Sequence, residues 1–325
     1  MIALDVRGLT EGRPIGPRAY ALPLAAALLQ DRPDLYSAWL GGPPPAGTRM
    51  ILDLAGLGRP GRRIPTAVAL HDTSDLAGLR GIRRRFRLGL LAAHAELILA
   101  PSNLVADAAV RYLRVPDARV IGARPGLGEG FSRSTLRAAE SLSRRLALPD
   151  RYFVFVGSIT ARKNLAVLAE AWARVRSGLG DGFGLVLAGP AGSEPAPRGP
   201  GILVPGYIEP EALPALLSGA VAYLNPSLYE GCPIGTMEAM ACGCPPVVGR
   251  GTALSEPMRG AGIMLDAPDP EQWARAMTVL AGRGDERARL SAECRRLAAG
   301  FSARSGAAEL SSSLEAALGG RSGRR

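Results

Sequence analysis

The chain has 325 residues, of which 47% are hydrophobic and 21% are charged, so it is long enough for two domains and too apolar to be a disordered chain. Its 39 basic and 29 acidic residues leave a formal charge of +10, and its two histidines, His71 and His94, are too far apart in sequence for a histidine-cluster metal site. The cysteines are too few for a disulfide scaffold, no apolar stretch reaches the length of a membrane span, and the N-terminus lacks the pattern of a signal peptide. We therefore expect a soluble cytoplasmic protein.

The first half of the chain alternates short apolar runs with helical patterns. The predicted strands cover residues 2–6, 50–54, 66–70, 97–100 and 119–123. The predicted helices cover residues 17–30, 79–95 and 103–113. This alternation favours a parallel sheet with helices on both faces. The polar, Arg- and Ser-rich residues 133–145 would connect it to a second domain.

The second half repeats the same alternation. Its predicted strands cover residues 152–156, 184–188, 202–204, 220–225 and 246–248. Its predicted helices cover residues 164–176, 210–218, 235–241, 270–281, 286–300 and 307–318. We therefore predict two Rossmann-like α/β domains, residues 1–146 and 147–306, followed by a C-terminal helix and basic tail in 307–325, for which packing back on the first domain is one expectation. Ligands of such sheets bind at the carboxyl ends of the parallel strands, and here we expect them in a cleft between the two domains.

A basic turn follows the first predicted strand of the second domain. Gly157 opens the turn, and Arg162, Lys163 and Asn164 lie where the next helix begins. Lys163 is the only lysine among the 39 basic residues. Helix N-termini attract anions, and arginine grips phosphate oxygens with two parallel hydrogen bonds. The turn therefore predicts an anion site, the alternative being a solvated basic loop.

Two glutamates stand eight residues apart across a Gly- and Pro-containing turn. Glu230 lies in the predicted loop and Glu238 about one turn into the following helix. A carboxylate on such a helix suits a pair of ribose hydroxyls, whereas paired carboxylates would also suit hydrolysis. A third reading is that each glutamate only complements the helix dipole.

These segments resemble a known enzyme family. Gly157 with Arg162-Lys163-Asn164, Val204-Pro-Gly-Tyr-Ile208, and the pattern from Ser227-Leu-Tyr-Glu230-Gly through Glu238-Ala-Met-Ala-Cys-Gly-Cys-Pro are similar to the retaining, nucleotide-sugar-dependent glycosyltransferases of family four. The spacing of Glu230 and Glu238 resembles that family's Glu-x7-Glu signature. The resemblance implies the GT-B fold, in which two Rossmann-like α/β domains face each other across a cleft.

The first domain matches the family more loosely. Gly16, within Ile15-Gly-Pro-Arg-Ala-Tyr20, resembles the glycine loop over the donor phosphates, where family members more often read Gly-Ile-Gly-Arg-Tyr. His71-Asp72 resembles the family's His-Asp turn near the transferred sugar. The resemblance therefore implies a donor-binding role for Gly16 and a sugar contact for His71, although a single loop histidine is as often structural.

The resemblance also implies roles in the second domain. Arg162 and Lys163 would neutralise the departing diphosphate, Glu230 would lie near the donor sugar, and Glu238 would hold the ribose. The remaining donor-binding residues would be Tyr207 and Ile208 near the base and the amides of Ile234, Gly235 and Thr236 near the sugar or phosphate. Since no Asp-x-Asp pattern is present, we expect neither a metal ion nor another cofactor.

The expected activity is retaining transfer of a hexose from a nucleotide-diphosphate sugar to a saccharide or lipid-linked acceptor. GDP-mannose is the first expectation for the donor, followed by UDP- and dTDP-sugars. The alternatives are a catalytically inactive GT-B partner or scaffold protein, and a nucleotide-sugar isomerase or hydrolase.

A basic run in the predicted helix 79–95 suggests a further partner. Its arginines are Arg80, Arg83, Arg84, Arg85 and Arg87. They lie beside the apolar stripe, which suits peripheral contact with an anionic membrane, the alternative being a solvated face in an arginine-rich chain. No aromatic residues are interleaved as nucleic-acid binding would need, so we expect no nucleic-acid partner.

Overall fold

The computed structural model describes residues 1–7, 9, 16–56, 64–71, 73, 82–132, 134 and 136–322, with the backbone alone for 82–85, 136 and 320–322. The strands of this part are β1 (Ile2–Asp5), β2 (Tyr36–Trp39), β3 (Met50–Asp53), β4 (Thr66–Ala69), β5 (Leu97–Ala100), β6 (Val120–Gly122), β7 (Arg151–Val156), β8 (Phe183–Ala188), β9 (Ile202–Gly206), β10 (Ala222–Asn225), β11 (Pro246–Gly249) and β12 (Ile263–Leu265). The helices are α1 (Pro17–Asp31), α2 (Ile82–His94), α3 (Asn103–Leu113), α4 (Leu136–Leu146), α5 (Leu165–Leu179), α6 (Leu213–Gly219), α7 (Ile234–Ala241), α8 (Pro270–Gly282), α9 (Gly284–Ala298) and α10 (Ala303–Ser322). They form two compact units, Met1–Gly128 with the chain from Phe301 onward, and Glu129–Gly300.

The first unit is built on a parallel sheet. Its strand order is β2-β1-β3-β4-β5-β6, so that Ile2 of β1 pairs with both Tyr36 and Met50. All four residues of β1, β3, β4 and β5 are buried, as expected for strands covered on both faces. The order reverses between β1 and β3, which is the switch point at which ligands of open α/β sheets bind.

The second unit has the same architecture. Its strand order is β12-β11-β10-β7-β8-β9, and these pairings are parallel. Along β7 the side chains alternate between two cores: Phe153 and Phe155 pack with Trp172 of α5, whereas Val154 packs with Leu216 of α6. Helices therefore cover both faces of this sheet, and the predicted Rossmann-like α/β architecture is confirmed.

Three elements differ from the sequence prediction. Strands β2 and β12 are not predicted, because both are short edge strands: β2 mixes polar and apolar residues, and the apolar run of β12 is only three residues long. Where the sequence predicts a connection over residues 133–145, the structure has helix α4. Leu142 of α4 is buried against Val154 and Leu217, so this polar helix packs on the second unit through a narrow apolar face.

The division of the chain also differs from the predicted boundaries at 146 and 306. Helix α4 lies with the second unit and α10 with the first, where it packs against α1. The backbone of Leu127 bonds to Phe301 and Ala303 at 2.6 and 3.0 Å, which explains where the chain returns to the first unit.

Candidate functional site

The basic turn begins at the carboxyl end of β7. A 3₁₀ turn over Ala161–Lys163 follows, and Asn164 takes a left-handed conformation (φ 53°) before α5 begins. The Asn164 side chain donates a hydrogen bond of 3.1 Å to the carbonyl of Ala267, which holds the start of the helix. Lys163 is directed inward, and only 11% of its side chain is exposed.

The acidic turn begins at the carboxyl end of β10, which is a direct neighbour of β7. Adjacent parallel strands end at the same edge of a sheet, so the two turns meet although they are 67 residues apart. The amide N–H of Leu228 donates to the carbonyl of Arg162 at 3.0 Å, and the Arg162 guanidinium donates to the carbonyl of Tyr229. These two hydrogen bonds to backbone carbonyls hold the basic turn and the acidic turn together.

Glu230 lies at the centre of this contact. Its Oε1 atom accepts from Lys163 Nζ, forms an ion pair with Arg162 Nη1 at 3.0 Å and lies 2.8 Å from Ser227 Oγ. Burial by itself would raise the pKa of Glu230, but the charges of Lys163 and Arg162 outweigh it and hold that pKa below the usual range. The site is therefore a buried carboxylate joined to two cations, one of which, Arg162, is about one-third exposed.

Glu238 lies on α7 and is not part of this cluster. Burial raises its pKa to about 8, and no hydrogen bond or ion pair of its side chain occurs within the described part of the chain. A carboxyl group in this state is neutral at pH 7 and can both donate and accept a hydrogen bond. This is compatible with the predicted contact to a ribose, which would supply the missing partner.

Helix α7 begins at Ile234 without a side-chain cap and without an acidic residue in its first turn. Gly235 follows, and Thr236 is fully buried, with a hydroxyl oxygen that lacks a hydrogen-bond partner in the described residues. The same holds for the hydroxyl of Thr160, just before the 3₁₀ turn. Buried hydroxyls without partners thus lie at the start of α7 and just before the 3₁₀ turn, where a polar ligand or a water molecule would satisfy them.

Tyr207 and Ile208 follow strand β9 at the same edge of the sheet. The Ile208 side chain is buried in the core with Val154 and Leu216, so only its backbone is available to a base. The glycine that ends β9, Gly206, has a φ of 80°.

Gly16 and His71 lie in the first unit. Gly16 directly precedes α1 with a φ of 59°, and a Cβ atom there would meet open space. His71 Nε2 donates to the Leu54 carbonyl at 2.7 Å, so that in the neutral ring Nδ1 is an acceptor. Burial lowers the pKa of His71, which favours this neutral ring. The predicted glycine loop continues as the start of α1 from Pro17 onward. Ile15, Asp72, Arg80 and the side chains at positions 83–85 lie outside the described residues.

Two kinds of feature are not found in the described residues. In that part of the chain no three His, Cys, Asp or Glu side chains are grouped so that they could hold a metal ion. Nor does any helix there combine the length and the apolar character that crossing a membrane requires.

Sequence reasoning missed two residues of the site. Asn225 and Ser227 are both buried at the end of β10, and their side chains bond to each other and onward to Glu230. The signal available in the sequence is that Asn225 is one of only three asparagines and directly ends a buried strand.

Comparisons with known proteins agree with the motifs. Residues 150–283 match the family described as Glycosyl transferases group 1. O-antigen chain mannosyltransferase B of Escherichia coli is 28% identical over 185 residues, which cover 54% of this chain and 49% of that protein. A D-inositol 3-phosphate glycosyltransferase of Thermobispora bispora is 30% identical over 244 residues, covering 69% of this chain and 56% of that protein. The chain thus spans about half the length of these curated relatives.

Solved structures support the fold over almost the whole chain. HepE of Anabaena, in complex with UDP and glucose, superimposes with a TM-score of 0.74 at 14% identity and covers 97% of this chain and 99% of that one. The chain therefore has the two-unit α/β architecture of the GT-B fold, and its residues 150–283 resemble the glycosyl transferases group 1 family, as the motifs of its second half predict.

Proposed function

We propose that the protein is a retaining glycosyltransferase that moves a hexose from a nucleotide-diphosphate sugar to a saccharide or lipid-linked acceptor in glycan biosynthesis. The observation that carries the proposal is the cluster of Lys163, Arg162 and Glu230 at the carboxyl edge of the second sheet. Departure of a nucleoside diphosphate develops negative charge, and fixed cations beside it lower the barrier. The mannosyltransferase relative favours mannose as the hexose, whereas HepE was solved with UDP and glucose.

The proposed chemistry needs no divalent metal. Arg162 and Lys163 would supply the positive charge that a metal supplies to the diphosphate in other enzymes, and they already lie together. Glu230 would stabilise positive character on the sugar, and Glu238 would hold the ribose. His71 Nδ1 would accept a hydrogen bond from a hydroxyl of the transferred sugar.

Nucleotide binding tests the proposal without knowledge of the acceptor. GDP, UDP and dTDP are compared by thermal shift with EDTA present, and a diphosphate at 100 times its dissociation constant should stabilise the protein by about 2.7 kcal/mol. The Arg162→Ala and Lys163→Ala variants should lose most of this shift, whereas Arg174→Ala, an exposed arginine of α5, should keep it. If none of the three nucleotides stabilises the wild type, the proposed function is wrong.

Turnover then tests the catalytic assignment. With the selected donor and a panel of saccharide acceptors, Arg162→Ala and Lys163→Ala should each lower turnover by about 30- to 1000-fold. This corresponds to an increase of about 2–4 kcal/mol in the activation free energy. NMR of the new linkage should show retained configuration, and EDTA should leave the rate unchanged. Inversion, or a rate restored only by Mg²⁺ or Mn²⁺, would contradict the mechanism.

We also propose peripheral contact of helix α2 with an anionic membrane. Phe86 is 66% exposed and Leu90 45% exposed on this helix, next to arginines in the sequence. Cosedimentation with vesicles containing phosphatidylglycerol should occur and should fall in Phe86→Ser and with pure phosphatidylcholine. Equal binding to both vesicles, or none, would contradict membrane contact.

A further inference from the structure

A chain of buried polar groups leads from strand β10 to Glu230. Asn225 Nδ2 donates to the Tyr223 hydroxyl at 2.8 Å, and Asn225 Oδ1 accepts from the backbone N–H of Ser227 at 3.2 Å. Ser227 Oγ lies 2.5 Å from Asn225 Oδ1 and 2.8 Å from Glu230 Oε1. Asn225 is 2% exposed and Ser227 is completely buried, so neither side chain reaches water.

The Ser227 hydroxyl has one proton for two acceptors. The orientation of the Asn225 amide is fixed by its two other hydrogen bonds, so the atom that faces Ser227 is the carbonyl oxygen. Glu230 carries a charge beside Lys163 and Arg162, so its Oε1 atom is also an acceptor. A serine hydroxyl can donate to only one of them at a time.

The charge on Glu230 decides between these two acceptors. In the described structure Oε1 accepts from Lys163 and is ion-paired with Arg162, so a hydrogen bond from Ser227 adds least to its stability in this state. A diphosphate bound by the two cations would compete for them and would leave a buried carboxylate with fewer donors. An uncompensated buried charge is costly, so the serine donor then becomes important.

We infer that Ser227 is a positioning residue with two states, whose hydroxyl rotates from Asn225 Oδ1 to Glu230 Oε1 when a nucleoside diphosphate engages Arg162 and Lys163. This inference rests on the proposed function. In it, Asn225 is the resting acceptor, and the rotation keeps Glu230 ionised and in place beside the donor sugar. No covalent bond changes, because only the direction of one O–H bond is altered.

The charged and titratable groups near Glu230 agree with this role. Lys163 and Arg162 face it from the 3₁₀ turn. Tyr223 and Cys232 are close enough that the Glu230 charge adds to the raising of their pKa values by burial, so both stay neutral at pH 7. Ser227 is therefore the uncharged donor in direct contact with this carboxylate.

Proton uptake on nucleotide binding tests the inference. Isothermal titration calorimetry with GDP, or with UDP if the thermal-shift panel selects it, is run at pH 7 in buffers of different ionisation enthalpy. In Ser227→Ala, Glu230 should take up a proton when Lys163 and Arg162 bind the diphosphate, because it has lost the serine donor. The number of protons taken up per nucleotide bound should exceed the wild-type number by on the order of half a proton. The protonation of the nucleotide itself cancels in this difference.

Two further variants separate a hydrogen-bonding role from a packing role. Ser227→Cys nearly preserves the side-chain volume but has a weak donor, so it should behave like Ser227→Ala. Ser311→Ala removes another buried serine hydroxyl, which is bonded to Tyr36 in the first unit, and should leave proton uptake at the wild-type value.

The outcomes are distinguishable. Wild-type proton uptake in both Ser227 variants, or a folded variant that no longer binds the nucleotide, would overturn the role of Ser227 and leave the proposed function standing. Failure of the wild type to bind any nucleoside diphosphate would instead remove the proposed function on which the inference rests.

Discussion

The fold strongly alters the ionisation of Glu238. Its carboxyl group has a pKa raised by burial to about 8, against 4.5 for an ordinary glutamate. Between these two pH values the folded protein binds a proton that the unfolded chain has released. The free energy of unfolding therefore falls as pH rises from about 4.5 to about 8, and it does not depend on this group below or above that window.

Glu238→Gln should remove this pH dependence, because an amide is neutral at every pH. We expect the variant and the wild type to be equally stable near pH 4.5, and the variant to be more stable at pH 8 by on the order of 2–4 kcal/mol. Urea unfolding at several pH values measures the difference, with Glu211→Gln on the exposed surface as the control. A variant whose advantage does not grow with pH would show that Glu238 is ionised in the fold.

The residues of the site divide into those that spacing predicts and those that it does not. Arg162, Lys163 and Glu230 carry charges in a recognisable pattern, and the structure brings them into contact. Asn225 and Ser227 are short neutral side chains, whose importance comes from burial and from the direction of single hydrogen bonds. A linear sequence contains neither kind of information.

Among the elements, helix α7 approaches strand β10 closely at Gly235. A Cβ atom at Gly235 would lie 2.6 Å from the hydroxyl of Tyr223, which is fully buried and held by Asn225. The glycine is therefore required by the close approach of α7 to β10, and its φ is not in the left-handed region.

Gly235→Ala should destabilise the protein by about 1–3 kcal/mol, because the tyrosine hydroxyl has no room to move. Tyr223→Phe removes the clashing oxygen, so the double variant should lose less stability than the sum of the two single variants. Thermal unfolding measures this cycle, and Gly282→Ala, a helical glycine with open space around its Cβ position, is the control. Strict additivity would contradict the steric explanation.

The deeply buried strands are predicted from the sequence. Fully buried strands such as β1 and β8 are read directly from apolar runs. The edge strands β2 and β12 are missed, because β2 mixes polar and apolar residues as a loop does and the apolar run of β12 is only three residues long. Helix α4 escapes for a different reason: its apolar face is narrow, and its arginines and serines resemble a linker.

At the scale of the whole molecule, the path of the chain decides where each unit ends. After the second unit the chain returns to the first, where a Cβ atom at Gly126 would lie 2.4 Å from the Cα atom of Ala303. Helix α10 then packs on α1, with Leu310 and Leu314 completely buried. The sequence predicts this last helix, and packing on the first domain is one expectation, but the residues of the helix do not decide between two similar units.

Leu314→Ala should therefore weaken the first unit and not the second. Removing a completely buried leucine should cost about 2–4 kcal/mol, through lost burial and the cavity left behind. Because each unit has its own core, hydrogen exchange measured by mass spectrometry should quicken in β1 and α1 while β7 and β8 keep their protection. Leu216→Ala, which empties an equally buried position in the second unit, should give the reverse pattern, and Leu40→Ala, at a position 70% exposed, should change neither. Equal loss of protection in both units from Leu314→Ala would mean that α10 stabilises the molecule as one cooperative body, and the division of the chain at Gly128 and Phe301 would have no energetic counterpart.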